Sequence, residues 1–164
     1  MHWIWIDRFL EFNSGRSARA VKNVSLAEDH LHDHFPGYPV MPGSLVVEGL
    51  AQTGGLLVGE ARGFSEMVVL AKVPRVEFFG LAHPGDQIVY DVELLDLRAE
   101  GAVVQGRATI NGQPLAEAEL VFAHLDKSLA GRAVGHESLV FSDEIMAVLD
   151  IAQAKANAAK AGQA

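Results

Sequence analysis

The sequence predicts an α+β protein in which one buried helix lies against an antiparallel sheet. Segments with strand character occupy the start of the chain and its second half, and a single apolar, helix-length segment lies between them. Tight-turn residues, Pro84-Gly85-Asp86 and Asn111-Gly112, separate the later strands. Because 49% of the 164 residues are hydrophobic, one domain can form around a substantial core.

The composition excludes several classes of function. The 21 acidic and 13 basic residues give a net charge of −8, which does not suit a nucleic-acid-binding surface. Without cysteine, the chain has no thiolate nucleophile and no cysteine-ligated metal. No apolar run approaches the roughly 18 residues that span a bilayer, and the opening MHWIWIDRFLEF lacks the basic region of a signal peptide. We therefore expect a cytoplasmic protein that binds no nucleic acid and has no membrane span.

The first third of the chain predicts a hairpin followed by a rigid loop. Residues 3–12 mix aromatic and branched side chains with acids and predict a strand, and residues 18–24 return after a turn at 13–15. In the segment 30–43, three prolines fall within seven residues, so this segment predicts neither helix nor central strand. A loop of this stiffness can hold a side chain in one place.

Three histidines at alternate positions begin this loop. On a strand, His30, His32 and His34 would share one face and could bind a metal. The prolines and glycines that follow disfavour a strand, and no fourth ligand is evident. We therefore expect no metal site, and we expect His30 and His32 to be solvated loop residues.

Residues 44–62 predict a buried helix with Ser44 as its cap. The apolar residues go nearly all the way around it, a pattern typical of a helix that is covered on most sides. Each glycine in a helix interior costs about 1 kcal/mol relative to alanine, and several are best tolerated where another backbone comes close. The segment therefore predicts a helix wrapped by a sheet; its glycines are Gly49, Gly54, Gly55 and Gly59.

The rest of the chain predicts strands and then an appended helix. The strand segments are 67–73, 76–79, 87–97, 102–110 and 115–125. Residues 126–141 predict a linker, after which Ser142 is expected to cap a last helix with Ile145, Val148 and Leu149 at helical spacing. We therefore divide the chain into one domain over residues 1–125 and a linker with C-terminal helix and tail over residues 126–164.

Polar residues spaced four apart form one stripe on the predicted central helix: Ser44, Glu48 and Gln52. The stripe either faces water or, on a buried helix, needs polar partners. A carboxyl group removed from water can stay protonated near neutrality, and a neutral imidazole in a rigid loop is a candidate base. With His34 as that base and Glu48 as the acid, the residues suit proton chemistry such as β-elimination of water.

The stretch HFPGYPVMPGSLVVEGLAQTGG, from His34 to Gly55, resembles the signature of the 3-hydroxyacyl-[acyl carrier protein] dehydratases of fatty-acid synthesis, the FabZ/FabA-like hotdog dehydratases. Looser similarity extends over residues 4–125 and includes PGDQIVYDVEL at 84–94. The resemblance implies a hotdog fold, in which a curved antiparallel sheet wraps a long central helix. The chain departs from the family at Gly49, where alanine is usual, and in its longer C-terminal extension. These departures leave open whether the pathway is fatty-acid biosynthesis or a related lipid or polyketide pathway.

The resemblance also implies roles for individual residues. His34 would be the catalytic base and Glu48 the catalytic acid, with Gln52 orienting the carboxylate and the Gly43 N–H binding the thioester carbonyl. Glutamate rather than aspartate at position 48 implies the branch that dehydrates without isomerising the double bond. The family needs no metal and no organic cofactor.

The family further implies partners. The substrate would arrive on acyl carrier protein, and a homodimer or trimer of dimers would place His34 of one subunit beside Glu48 of the other. Because the chain is acidic and so is the carrier protein, we expect a local basic patch, with Arg62, Lys72 and Arg75 as candidates.

Two other functions remain open from the sequence. A hotdog acyl-thioesterase would place water against the thioester carbonyl, which the pairing of His34 with Glu48 does not require. A non-catalytic acyl-binding hotdog protein would need neither residue.

Overall fold

A six-stranded antiparallel sheet wraps one long helix in the computed structural model, which describes residues 3–125, 144–150 and 153. The strands lie in the order β1-β2-β4-β5-β6-β3, and each neighbouring pair is antiparallel. This is the expected hotdog architecture. The elements are β1 (Arg8–Asn13), β2 (Ser17–Asn23), α1 (His30–Asp33), α2 (Gly43–Ala61), β3 (Met67–Phe78), β4 (Gln87–Leu97), β5 (Gly101–Ile110) and β6 (Gln113–Leu125).

The helix α2 is buried on most sides, as its composition predicts. At Gly49 the ring of Tyr90 from β4 occupies the volume that a Cβ would need, and at Gly54 a Cβ would lie 3.2 Å from Val104. The glycines therefore let the helix approach the sheet closely, which confirms the prediction of a wrapped helix. The cap differs from the prediction, because α2 begins at Gly43 with Pro42 as N-cap and Ser44 is an exposed second residue.

The prediction of a loop over residues 30–43 is wrong for its first four residues. Residues His30–Asp33 form the single-turn helix α1, with the N–H groups of Leu31 and His32 donating to the carbonyl groups of Glu28 and Asp29. All three prolines of the segment follow Phe35, so none of them blocks a helical turn before it.

Two predicted strands, 67–73 and 76–79, are one continuous strand, β3. Its pairing with β6 is irregular between Lys72 and Arg75, and Pro74 lies in that interval. Because β3 is the last strand of the sheet, its outer edge needs no ladder partner and tolerates a residue without an N–H. At the other end of the sheet, the predicted strand over residues 3–12 begins only at Arg8.

The appended helix packs on the domain as far as it is described. Residues 144–150 are helical, and Ile145 and Leu149 are buried in the same core cluster as the α2 side chains, with Val148 packed against it. The predicted linker 126–141, the cap Ser142 and the tail after 153 lie outside the described residues. In the part of the chain that is described, no helix is long and apolar enough to cross a membrane.

Candidate active site

The start of α2 presents a free backbone donor. Gly43 is the first helical residue, so its N–H has no acceptor within the helix, and no other described residue accepts it. A Cβ at this position would lie 2.9 Å from the ring of Phe78, so glycine allows that ring to lie against the helix start. A helix N-terminus favours negative charge that develops beside it.

One turn further along α2, Glu48 and Gln52 are held by the N-terminal segment that precedes β1. The backbone N–H of Trp5 donates to Gln52 Oε1 at 2.8 Å, and Gln52 Nε2 donates to the carbonyl of Trp3 at 2.8 Å and to Glu48 Oε1 at 3.1 Å. Because a backbone N–H can only donate, the Trp5 contact fixes which end of the Gln52 amide is oxygen. The backbone groups of Trp3 and Trp5 thus bond to the Gln52 side chain, and the backbone joins β2 only from Asp7 onward, where the Asp7 N–H donates to the Val21 carbonyl at 2.7 Å.

The Glu48 carboxyl group receives a second donor from the same segment. The indole Nε1–H of Trp3 donates to Glu48 Oε1 at 3.2 Å. Both donors therefore converge on one oxygen, and Oε2 accepts no hydrogen bond from any described residue.

His34 lies at the C-terminal end of α1, at the start of the proline-rich loop. Its Nδ1 lies 2.9 Å from the carbonyl oxygen of Val40, and its ring stacks on Phe35 with centroids 4.1 Å apart. A carbonyl oxygen only accepts, so the contact places the proton on Nδ1 and leaves the lone pair on Nε2 when the ring is neutral. The loop thus holds an imidazole with a defined basic nitrogen.

The structure brings together some of the predicted site residues. Glu48 and Gln52 are hydrogen-bonded, and Gly43 begins the helix that carries both, whereas no hydrogen bond or ion pair links His34 to Glu48 within the described chain. The expectation that the polar stripe of α2 has partners is confirmed for Glu48 and Gln52. It is wrong for Ser44, which is exposed.

The other two histidines of the loop differ from each other. His32 is exposed, as predicted, but His30 is half-buried with its ring edge-on to Trp5 at 5.1 Å between centroids. Burial lowers the pKa of His30, so the expectation of a solvated residue is wrong. Among the described residues, no group of three or more histidine, aspartate or glutamate side chains could hold a metal ion.

The candidate basic patch is largely neutralised. Arg62 pairs with Glu66 at 3.0 Å and Arg75 with Glu77 at 2.7 Å, whereas Lys72 is exposed and pairs with no other described residue.

Sequence reasoning missed three groups at the site, namely the Trp3 side chain, the Trp5 backbone and the Val40 carbonyl. The alternation Trp3-Ile4-Trp5-Ile6 indicates a strand and says nothing of a contact some 45 residues along the chain. Only the fold brings this segment to α2.

Proteins with similar sequences identify the family of this chain. The family model of the FabA-like domain matches residues 2–119. The 3-hydroxyacyl-[acyl-carrier-protein] dehydratase FabZ of Pelotomaculum thermopropionicum is 41% identical over 122 residues, which are 74% of this chain and 87% of that protein. Its namesake from Geobacillus thermodenitrificans is 42% identical over 130 residues, 76% of this chain and 87% of that one.

Among solved structures, a chain of the dehydratase heterocomplex ApeI:P from Xenorhabdus doucetiae superposes with a TM-score of 0.64 at 16% identity. The match covers 80% of this chain and 90% of that one. At that identity, the likeness supports the fold alone. The family model and the two FabZ relatives carry the assignment, and the chain therefore belongs to the FabA-like family of 3-hydroxyacyl-[acyl-carrier-protein] dehydratases.

Proposed function

We propose that the protein dehydrates (3R)-3-hydroxyacyl thioesters carried on acyl carrier protein to trans-2-enoyl thioesters in fatty-acid biosynthesis. The names of the FabZ relatives support this reaction. The site supports it independently, because it presents a base, a carboxyl group and a free helix-terminal N–H.

The reaction needs one proton removed and one delivered. His34 Nε2 takes the proton from C2 of the acyl chain, while the Gly43 N–H binds the thioester oxygen as negative charge develops on it. Glu48, protonated on Oε2, gives its proton to the 3-hydroxyl group, which leaves as water as the C2–C3 double bond forms. Gln52 keeps the carboxyl group oriented through its bond to Oε1.

The observation that carries this proposal is the orientation of His34. Its Nδ1–H bonds to Val40 at 2.9 Å, so the nitrogen that can accept a proton is the other one, Nε2. His34 is a base with a fixed tautomer, and the chain has no cysteine thiol that it could activate as a nucleophile. It therefore suits proton abstraction from carbon.

We also propose that each site is shared between two subunits. In one chain, no bond links His34 to Glu48, and the edge strand β3 exposes apolar side chains, among them Leu70, Val76 and Phe78. An exposed apolar edge strand is a surface that proteins normally pair or cover. An isologous homodimer that pairs the two β3 edges would continue the sheet and form two equivalent sites, as a dimer alone or within a trimer of dimers.

The catalytic unit in this proposal is the domain of residues 1–125, with residues 126–164 as an appendage. The match of the family model to residues 2–119 supports that boundary. For docking of the acidic carrier protein, Lys72 is the one candidate of the predicted patch without an ion-pair partner among described residues.

An assay with purified protein distinguishes the three candidate functions. The substrates are crotonyl and 3-hydroxybutyryl thioesters, and the measurements are enoyl absorbance and release of free thiol. We expect hydration and dehydration without thiol release. Thiol release would indicate a thioesterase and overturn the proposal, and absence of any turnover would favour an acyl-binding protein.

Substitution of the base and the acid tests their roles. We expect His34→Ala and Glu48→Gln each to lower kcat by about 10²- to 10⁴-fold, the usual contribution of a general acid or base, without unfolding the protein. His32→Ala is the matched control for the first, because His32 is exposed in the same segment. Glu60→Gln is the control for the second, because Glu60 is a carboxylate of α2 that bonds to Ser14 instead. Near-wild-type turnover by either site variant would reject the assignment.

A further inference from the structure

We propose that Trp3 is a positioning residue for the catalytic acid: its indole N–H occupies Oε1 of Glu48, so that the transferable proton is carried by Oε2. This inference rests on the proposed function and adds a residue outside the His34–Gly55 signature. The contact that supports it joins Trp3 Nε1 to Glu48 Oε1 at 3.2 Å.

The hydrogen-bond count at Glu48 determines where the proton is carried. A carboxyl oxygen without a proton has two lone pairs that can accept, and Oε1 receives two N–H donors, from Trp3 at 3.2 Å and Gln52 at 3.1 Å. If Oε1 carried the proton, it could not accept both donors well. Two donors together therefore select Oε2 for the proton, whereas Gln52 alone would leave one lone pair of Oε1 free and the selection weaker.

Trp3 is held in place although it is exposed. Its carbonyl accepts the Gln52 Nε2–H at 2.8 Å, and its ring packs edge-on against Trp5, which is buried, with centroids 5.7 Å apart. As a whole residue, Trp3 is 55% exposed. Core packing therefore does not account for a large aromatic residue here, and the contact with the carboxyl group does.

The kinetic test is Trp3→Phe, which keeps an aromatic ring and removes the N–H. We expect kcat to fall about tenfold, equivalent to about 1.4 kcal/mol, with KM within about twofold of wild type. The melting temperature should not change, because the side chain is exposed. A structural role would instead lower the melting temperature, and a substrate-binding role would raise KM.

Ser14→Ala is the matched control variant. Ser14 is also a donor from the N-terminal part of the chain to a carboxylate of α2, Glu60, at 2.7 Å. Loss of that bond should leave kcat and KM unchanged. An unchanged kcat in Trp3→Phe, or a rise in KM that accounts for the whole loss, would overturn the proposal.

A second measurement tests the contact without turnover. The protein has two tryptophans, so its ¹H–¹⁵N spectrum has two indole N–H resonances, and Trp3→Phe identifies the Trp3 signal by its loss. Glu48→Ala should shift the Trp3 resonance upfield, and Glu60→Ala should leave it in place. An unmoved resonance overturns the proposal. If the wild-type protein turns over no thioester, the proposed function fails, and the role of Trp3 fails with it even when the resonance responds.

Discussion

His30 illustrates how burial controls a histidine one helical turn from the proposed base. Its ring packs against Trp5, and Nε2 is buried without a hydrogen-bond partner among the described groups. Burial lowers the pKa of His30, Lys22 and His34 add to that effect, and Glu28 opposes it. The folded protein therefore favours the neutral ring more strongly than the unfolded chain does.

This difference predicts a loss of stability in mild acid. Since the pKa of His30 in the folded state lies below the unfolded value of about 6.5, the unfolded chain binds the proton first as the pH falls. The free energy of unfolding should therefore decrease from about pH 6.5 down to the folded-state pKa. We expect His30→Gln to reduce the drop in melting temperature between pH 7.5 and pH 5, measured against wild type, while His32→Gln keeps it. An identical drop in all three proteins would contradict the prediction.

Contacts within the site were predictable where the residues lie close together along the sequence. Glu48 and Gln52 lie four residues apart on the predicted helix, which places them side by side, and the structure has a hydrogen bond between them. The roles of His34 and Gly43 stay predictions. The burial of His30 was not predictable, because it depends on Trp5, which is close only in the fold. The same holds for the contact of Trp3 with Glu48.

At the scale of elements, α2 and β4 fit each other at one point. The ring of Tyr90 fills the volume beside Gly49, and its hydroxyl group is buried without a partner among the described residues. Burial raises the pKa of Tyr90, and the nearby carboxylates of Asp7 and Glu28 raise it further, so the phenol stays neutral. The helix and the strand therefore contact each other through the ring of Tyr90 and the backbone of Gly49.

We expect Gly49→Ala to lower the free energy of unfolding by about 1 to 3 kcal/mol, the usual cost of an overpacked core. The helix propensity of alanine, about 1 kcal/mol better than glycine, would act in the opposite direction. Adding Tyr90→Leu to Gly49→Ala should restore part of the lost free energy of unfolding, because leucine leaves room for the alanine Cβ. Urea unfolding of the single and double variants measures both effects.

Gly55→Ala is the control for this prediction. A Cβ at Gly55 would lie 3.5 Å from Phe122, an ordinary contact, so this substitution should leave stability equal or higher. If both alanine variants change stability alike, the fit between Gly49 and Tyr90 is not the cause.

The bounds of strands and turns were predictable where the hydrophobic pattern and the turn residues agree. β4 (Gln87–Leu97) has the bounds that the sequence predicts, and the Asn111-Gly112 turn has both residues at positive φ, 51° and 77°. Two predictions of this kind are wrong. The strand segments 67–73 and 76–79 are one strand, because an edge strand accommodates Pro74 between them, and the N-cap of α2 is Pro42 and not Ser44.

In the described part of the chain, the sheet has two edge strands, β1 and β3, and most of the exposed large apolar residues of these two strands lie on β3. β3 pairs only with β6, and exposed apolar residues lie on it and just beyond it; they are Leu70, Val76, Phe78, Phe79 and Leu81. The shared-site dimer proposed above covers this edge.

Co-refolding of the inactive variants His34→Ala and Glu48→Gln should restore activity. In a mixed dimer with shared sites, one site receives both lesions and the other receives none. Random pairing makes half of the dimers mixed, so about one quarter of wild-type activity should return on this symmetry argument. The measurement is turnover before and after subunit exchange, with exchange verified by a mass tag on one variant.

If both residues act within one subunit, every site keeps a lesion and no activity returns. That result, with exchange demonstrated, would reject the shared site and leave the dehydratase assignment intact.

The arrangement of the whole sheet was only partly predictable. Local pattern predicts where most strands lie along the chain, but the pairing of β3 with β6 joins Met67 to Leu125 across two intervening strands, β4 and β5. Such pairing is decided by how the sheet closes around α2, and no local pattern encodes it.

The contact between Gly49 and Tyr90 also constrains how this sequence can evolve. A chain with glycine at position 49 can accept either a small or a large residue at position 90, whereas a chain with tyrosine at position 90 cannot accept a side chain at 49 without overlap. Mutational paths between such states are therefore unequal: a path that fixes glycine before the tyrosine arrives avoids the cost of about 1 to 3 kcal/mol that the overlap carries. Recombination between relatives that separates the two positions should lower the stability of the offspring by a similar amount.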